Sequence, residues 1–254
     1  MLQRVNIKLK TQKNMLLSYD YNYQIGCELY KKINIIDEIF GGIYHKEGFR
    51  KDETQRNFKL LNPLLQFDKV IMDKDGIILN KDDIITLTIG GNKQVINLIL
   101  NGFYQDSKLN INGDVFEFVK AEITKMPAFK QIGLYKVESA LIEAIQNEDK
   151  KTEYLDIMNP RYMQAVKQNL KRKYQLIYGK EYSGDLKIGI EDFLKIKPKS
   201  VTIKGNKVHG YGKFNVLIQA EKDMQKVAYC CGLGSHNMYG AGFLKYITGG
   251  EANG

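Results

Sequence analysis

Gly232-Leu233-Gly234-Ser235-His236-Asn237-Met238-Tyr239-Gly240-Ala241-Gly242-Phe243 sets four glycines around a polar, histidine-bearing centre and runs into an apolar segment. Its position in the chain decides the fold. Upstream, Glu221 to Cys231 repeats apolar side chains at Met224, Val227, Ala228 and Cys231, the i, i+3, i+4, i+7 spacing of one helix face. Gly232 then supplies the residue type that ends helices. Downstream, Phe243 to Thr248 reads as a strand. The loop therefore joins a helix to a strand. Dinucleotide fingerprints and P-loops lie between a strand and the following helix, and a P-loop also needs Gly-Lys-Ser/Thr, so the nucleotide readings fall away. Without Cβ atoms this backbone can turn sharply and approach an anion, which leaves a phosphate- or RNA-binding loop beside a plain structural turn.

Working outward, a helix is expected from Asn159-Pro160 to Gly179, with Met163, Val166, Leu170, Tyr174 and Ile177 on one face. Phe129 to Ile145 reads as extended, and Val201–Ile203 with Val208–Ile218 as strands turning at Gly205-Asn206. The first half repeats this order. Val5, Ile7 and Leu9 alternate as in a strand, and Tyr21 to Ile33 carries apolar residues at helical spacing. Phe58–Met72 and Gly76–Asn80 look like strands joined at Asp73-Lys74-Asp75-Gly76, followed by strand Asp83–Ile89, a helix through Val95, Leu98, Ile99 and Phe103, and a hairpin around Asn112-Gly113. The pattern is β-α-β-β-α-β twice: an α+β chain of two tandem ferredoxin-like (RRM-like) domains, residues 1–125 and 126–254.

The chain has 254 residues, 38 Lys and Arg against 29 Asp and Glu, a net charge of +9 and a pI near 9.2, a balance that favours an anionic partner. The N-terminal residues alternate rather than forming a signal-type apolar block, and no apolar run is long enough to span a bilayer, so no membrane partner is expected. Cys27, Cys230 and Cys231 form neither a disulfide framework nor a zinc spacing, which fits a reducing cytoplasm. With histidines only at 45, 209 and 236, and no His-x-Glu-x-x-His or Cys-x-x-Cys, no metal site or cofactor is expected. His45 lies in what reads as a loop, among Lys46, Arg50, Lys51, Arg56 and Lys59, where an imidazole could serve as acid or base or simply be solvated.

Nearly the whole chain resembles the CRISPR-associated endoribonucleases that cut repeat RNA, a superfamily of tandem ferredoxin-like domains. Gly232–Gly242 looks like that family's G-x-G-x-x-x-x-x-G-x-G loop, Tyr21–Ile33 its first helix, Tyr44-His45-Lys46-Glu47-Gly48 its histidine segment, Phe58-Lys59-Leu60-Leu61 its lysine strand, and Asn169–Tyr174 its basic helix. The resemblance implies a metal-independent triad of Tyr30, His45 and Lys59. His45 would move the proton of the attacking 2′-hydroxyl, Lys59 would offset phosphorane charge, and Tyr30 would position an oxygen, leaving a 2′,3′-cyclic phosphate and a 5′-hydroxyl. Leu61, Asn62, Pro63 and Leu64 depart from the family's aromatic and hydroxyl pattern there, so Lys51 is an alternative to Lys59. RNA contacts are expected at Gly232, Gly234, Ser235, His236, Asn237, Gly240 and Gly242, on Lys171, Arg172 and Lys173, and at Lys204 and Lys207 beside the Gly205-Asn206 turn. The implied partner is precursor CRISPR RNA; other CRISPR effector subunits and a second copy of the chain are also compatible. The competing reading is a non-cleaving repeat-RNA-binding subunit of the same superfamily.

Overall fold

A computed structural model of the chain describes residues 1–50, 57–69, 71–147, 149, 151–203 and 205–247. The first half runs β1 (Leu2–Thr11), β2 (Met15–Ser18), α1 (Tyr21–Ile36), α2 (Glu38–Lys46), β3 (Leu61–Phe67), β4 (Ile71–Met72), β5 (Gly76–Leu79), β6 (Ile84–Asn92), α3 (Lys93–Gln105), β7 (Lys108–Ile111) and β8 (Asp114–Ile123). The second runs β9 (Ile132–Val137), β10 (Ala144–Gln146), β11 (Thr152–Tyr154), α4 (Tyr162–Tyr178), β12 (Lys187–Ile190), β13 (Pro198–Ile203), β14 (Asn206–Tyr211), β15 (Asn215–Gln219), α5 (Lys222–Cys231) and β16 (Leu244–Ile247). Antiparallel sheets ordered β3-β6-β1-β8-β7 and β12-β15-β9-β16 give each half the ferredoxin-like strand order. No helix among the described residues is long and apolar enough to cross a membrane.

Both halves depart from the expected strand assignment in the same way. The hairpin at Asp73–Gly76 forms, but its strands lie in a separate three-stranded sheet in which β5 pairs with both β2 and β4, and β3 reaches across to β6 instead. In the second half, the expected strand Val208–Ile218 splits into β14 and β15, and only β15 enters the central sheet. β13 and β14 make a free-standing hairpin, and the sheet takes β12 and β15. Tight-turn signals identify a hairpin, while the longer-range partner is set by which apolar face needs covering.

Each sheet buries one face under its own helices. In β1, Val5, Ile7 and Leu9 point at α1 and α3, and all three are fully buried with Ile25, Leu29, Ile33, Val95, Ile99 and Phe103. The other face of β1 carries Arg4, Asn6, Lys8 and Lys10. Here the second half docks. Arg4, Gly90 and Asn62 stand side by side across β1, β6 and β3, and the last turn of α5 lies on this row. A Cβ on Gly90 would sit 2.4 Å from the Cys230 carbonyl oxygen and one on Gly232 would sit 2.0 Å from Asn62 Nδ2, so both glycines permit the close approach. Arg4 lies 3.5 Å from the Tyr229 ring centroid and 4.2 Å from that of Phe243. It donates to the main-chain oxygens of Leu244, at 3.1 Å, and of Tyr229. The Tyr229 carbonyl is among those that a helix end leaves unpaired, so Arg4 caps α5 from the neighbouring unit. Burial also pushes the Cys230 thiol up to about 12 and raises Cys231 further, which keeps both protonated and unreactive.

Arg4→Ala leaves two buried carbonyls unsatisfied and empties the space between two rings. A stability loss of about 3–5 kcal/mol is expected on urea unfolding. A loss below about 1 kcal/mol would contradict the capping role.

Candidate functional site

Helix α2 occupies residues that read as a loop. Asp37 caps it, accepting from the Phe40 N–H at 2.9 Å, and Gly48, at φ +60°, follows its last turn with its N–H bonded to the Tyr44 carbonyl at 3.0 Å. Gly41-Gly42 in its middle weakens the helical signal. Yet Gly41 is what lets α2 cross α1, since a Cβ there would lie 1.8 Å from Asn34 Oδ1. His45 is therefore a helical residue, exposed near the C-terminal end of α2, rather than a loop residue.

The crossing brings the three triad residues together. The Tyr30 and His45 rings meet edge-on at 4.7 Å between centroids. Lys59, just before β3 and outside any strand, donates to the main-chain oxygens of Tyr44 at 2.5 Å and His45 at 2.6 Å, and its Nζ lies 5.8 Å from the Tyr30 centroid. The Tyr44 hydroxyl donates back to the Lys59 carbonyl. A cation on the last carbonyls of α2 fixes the turn that carries His45. Tyr30 is largely buried, and desolvation raises its phenol well above the ordinary tyrosine value, so it remains a hydroxyl donor across the neutral range. Lys51, the alternative to Lys59, lies outside the described residues.

The glycine-rich loop is packed into the seam between the two units. Gly232, Gly234, Gly240 and Gly242 have φ of +71°, +65°, +76° and +66°, and a Cβ on Gly242 would lie 1.9 Å from the Leu233 oxygen. Main-chain N–H groups of Leu233, Ser235, Gly240 and Gly242 already bond main-chain carbonyls, so they form no ready anion cradle. Ser235 is buried, and its hydroxyl donates to Glu143 Oε1 at 2.5 Å. Asn237 donates to the Leu233 and Ala241 oxygens, each at 2.9 Å. Lys173, read from the sequence as an RNA-facing cation, is 2 % exposed and donates to the oxygens of Gly232 and Gly234 at 2.9 Å and to Asn237 Oδ1 at 2.6 Å. It supports the loop from within.

What the loop offers outward is His236 and Tyr239, both half-buried. Their rings stack at 6.4 Å; Tyr239 meets Tyr23 at 5.4 Å and His236 meets Tyr154 at 5.6 Å, making an aromatic line across the seam. Tyr239 was visible inside the glycine motif, whereas nothing in the sequence marks Tyr154 or the β10–β11 hairpin. Tyr239 also joins two cavities: one of about 410 Å³ lined by Tyr30, Lys31, His45 and Lys46, and one of about 180 Å³ lined by Lys59, Asn169, Ser235 and His236. Asn169 joins the second to a third of about 480 Å³, edged by Arg161 and the exposed Arg172. The three cavities thus neighbour one another between His45 and α4 through these shared residues. Lys171 is half-buried on α4 and Lys207 exposed on β14; Lys204 lies outside the described residues.

Residues 134–246 match the family of the CRISPR-associated protein Cas6, C-terminal. Over 95% of the chain and 91% of the relative, the sequence is 24% identical to the CRISPR-associated endoribonuclease Cas6 1 of Methanocaldococcus jannaschii. A solved CRISPR-associated protein Cas6 superposes at a TM-score of 0.77 and 25% identity, covering 98% of this chain and all of the other. A RAMP protein described as binding different RNA substrates superposes at 0.80 with 18% identity, covering 97% and 100%.

Lys173→Met leaves the loop's three acceptors facing an apolar chain. A stability loss of about 3–5 kcal/mol is expected, with Lys173→Arg recovering only part of it. Lys171→Met, on the same helix but half-exposed, should stay within about 0.5 kcal/mol of the parent. Equal losses at 171 and 173 in chemical denaturation would refute the internal-support role.

Proposed function

We propose that this chain, which carries a Cas6 C-terminal domain and resembles Cas6 endoribonucleases over nearly its full length, cuts CRISPR repeat RNA to mature the precursor. The observation that carries this reading is the meeting of Tyr30, His45 and Lys59 from α1, α2 and the segment before β3, beside a cavity that Tyr239 of the glycine-rich loop also lines. Internal attack of a 2′-hydroxyl on the adjacent phosphate needs in-line geometry, a proton acceptor, a donor to the leaving 5′-oxygen, and positive charge near the phosphorane. In this reading His45 takes and returns the proton. The Tyr30 hydroxyl, kept protonated by burial, donates to a phosphate or leaving oxygen. Lys59 acts chiefly through α2, holding the His45 turn by its main-chain oxygen, while its charge adds to that of Lys31 and Lys46, which line the cavity of His45. No metal ion enters these steps. The products are a 2′,3′-cyclic phosphate and a 5′-hydroxyl.

The unit up to residue 125 would do the chemistry, and the unit from 126 would hold the strand through His236, Tyr239 and the cations of α4. Aromatic rings at the loop suit unstacked bases, and Arg172 and Lys171 suit phosphates.

His45→Ala should lower single-turnover cleavage of repeat RNA about 10²–10⁴-fold while leaving RNA affinity within a few-fold. Cutting should persist in excess chelator, stop when a deoxynucleotide precedes the cut, and leave a cyclic phosphate detectable by mass spectrometry. Cleavage that survives His45→Ala, or that proceeds on the deoxy substrate, refutes the mechanism. Tight binding with no cutting by the parent protein would instead favour the RNA-binding-subunit reading.

A further inference from the structure

Asn169 carries a buried acceptor that the described residues leave unmet. It lies on α4 one turn before Lys173, on the face that meets the glycine-rich loop, and is only 6% exposed. Its Oδ1 is fully buried and has no hydrogen-bond partner among the described residues. Leaving such an acceptor unmet is costly, and buried amides in folded proteins are satisfied in the large majority of cases. In the adjoining loop Asn237 donates twice and accepts once, whereas Asn62, packed beneath Gly232 and away from this cavity, shares the unmet state of Asn169. Asn169 is one of the residues that line the cavity of about 180 Å³ formed with Phe58, Lys59, Leu60 and the loop residues Gly234 to Tyr239, and a small turn of its side chain would bring the amide into it. That volume is several times the ~30 Å³ of a water and below the ~300–1,000 Å³ of sites for larger ligands.

The geometry points to Asn169 as a specificity residue that reads one unstacked nucleobase in this cavity, next to the cutting site. A planar amide offers an acceptor beside a donor. This is the complement of a base edge, where a ring nitrogen or carbonyl sits beside an N–H or exocyclic amine. The lining has the chemistry that a base stacks on: Phe58, His236 and Tyr239 supply aromatic surface, and Leu60 and Leu61 add apolar surface. The cavity also neighbours the other two. It shares Lys59 with the triad, Tyr239 with the cavity around His45, and Asn169 with the basic cavity at Arg172, so a strand running from α4 to His45 passes its mouth. One base turned inward there would fix the register of the strand against His45. This inference rests on the RNA-cleaving reading for the identity of the ligand.

The test is an abasic scan. Repeat RNAs carrying a single abasic site at successive positions on either side of the cut are bound, and cut where cutting occurs, by the parent protein and by Asn169→Ala. For the parent, one position near the cut should weaken binding about 5- to 150-fold when its base is missing. For Asn169→Ala that penalty should vanish, while penalties at other positions stay. Asn169→Asp, which turns the donor into a charged acceptor, should change which base is preferred there. Because Ala removes an unsatisfied buried group, its Tm should equal or exceed that of the parent. Identical abasic profiles for parent and Asn169→Ala overturn the proposal, as does a Tm drop of more than about 4 °C, which would mark the amide as a structural member. The binding arm needs no cutting. A protein that binds repeat RNA with an Asn169-dependent base preference but never cleaves it upholds base reading and refutes the endoribonuclease. A protein that cleaves with no such preference does the reverse.

Discussion

The end of α5 can lie on the first sheet only because Arg4, Gly90 and Asn62 form one row across three strands. The candidate site is built on this seat. Helix α5 is buried on nearly all sides because it covers its own sheet with one face and the neighbouring sheet with the other. Gly90 sets the distance, Arg4 supplies the missing hydrogen-bond donor at the helix end, and the chain then turns at Gly232 directly over Asn62. From that turn the glycine-rich loop enters the seam, and with it Tyr239 reaches the cavity of His45 and Tyr30.

Two lysines show how a basic protein spends part of its charge on itself. Lys59 and Lys173 each direct an ammonium at main-chain carbonyls, one at the end of α2 and the other inside the loop. In both places the backbone turns away from regular hydrogen bonding and leaves oxygens that need strong donors. The cost of burying Lys173 is offset by three close acceptors, one of them the side chain that staples the loop shut. The cations that remain outward, such as Arg172, Lys46 and Lys207, are those able to meet a polyanion.

Much of this was legible in the sequence, and its limits have physical reasons. Alternation in β1, the helical spacing of α4 and α5, and the turn glycines were local signals, and those elements lie where they were expected. The tandem ferredoxin-like order followed from them. Helix α2 was hidden because Gly41-Gly42, needed for the crossing with α1, is also what a helix disfavours. The two hairpins inserted between central strands were recognised as hairpins and assigned to the wrong sheets, since register against a distant strand leaves no short-range trace. Tyr30, His45 and Lys59 came from family likeness, and they do converge in space. Lys173 and Asn169 show the opposite limit: a lysine in a basic run looks solvated, and an asparagine on a helix looks unremarkable, until burial is known.

The contacts of Arg4 reach Tyr229 and Leu244, across 225 and 240 residues. During synthesis the first unit must therefore wait, with an arginine and an uncapped sheet face, until residues 229–244 have left the ribosome. The same late segment brings the glycine-rich loop. A chain made only up to α5 holds the helices that carry Tyr30 and His45 but lacks His236 and Tyr239, so the cavities that these rings line stay incomplete until the last segment is added.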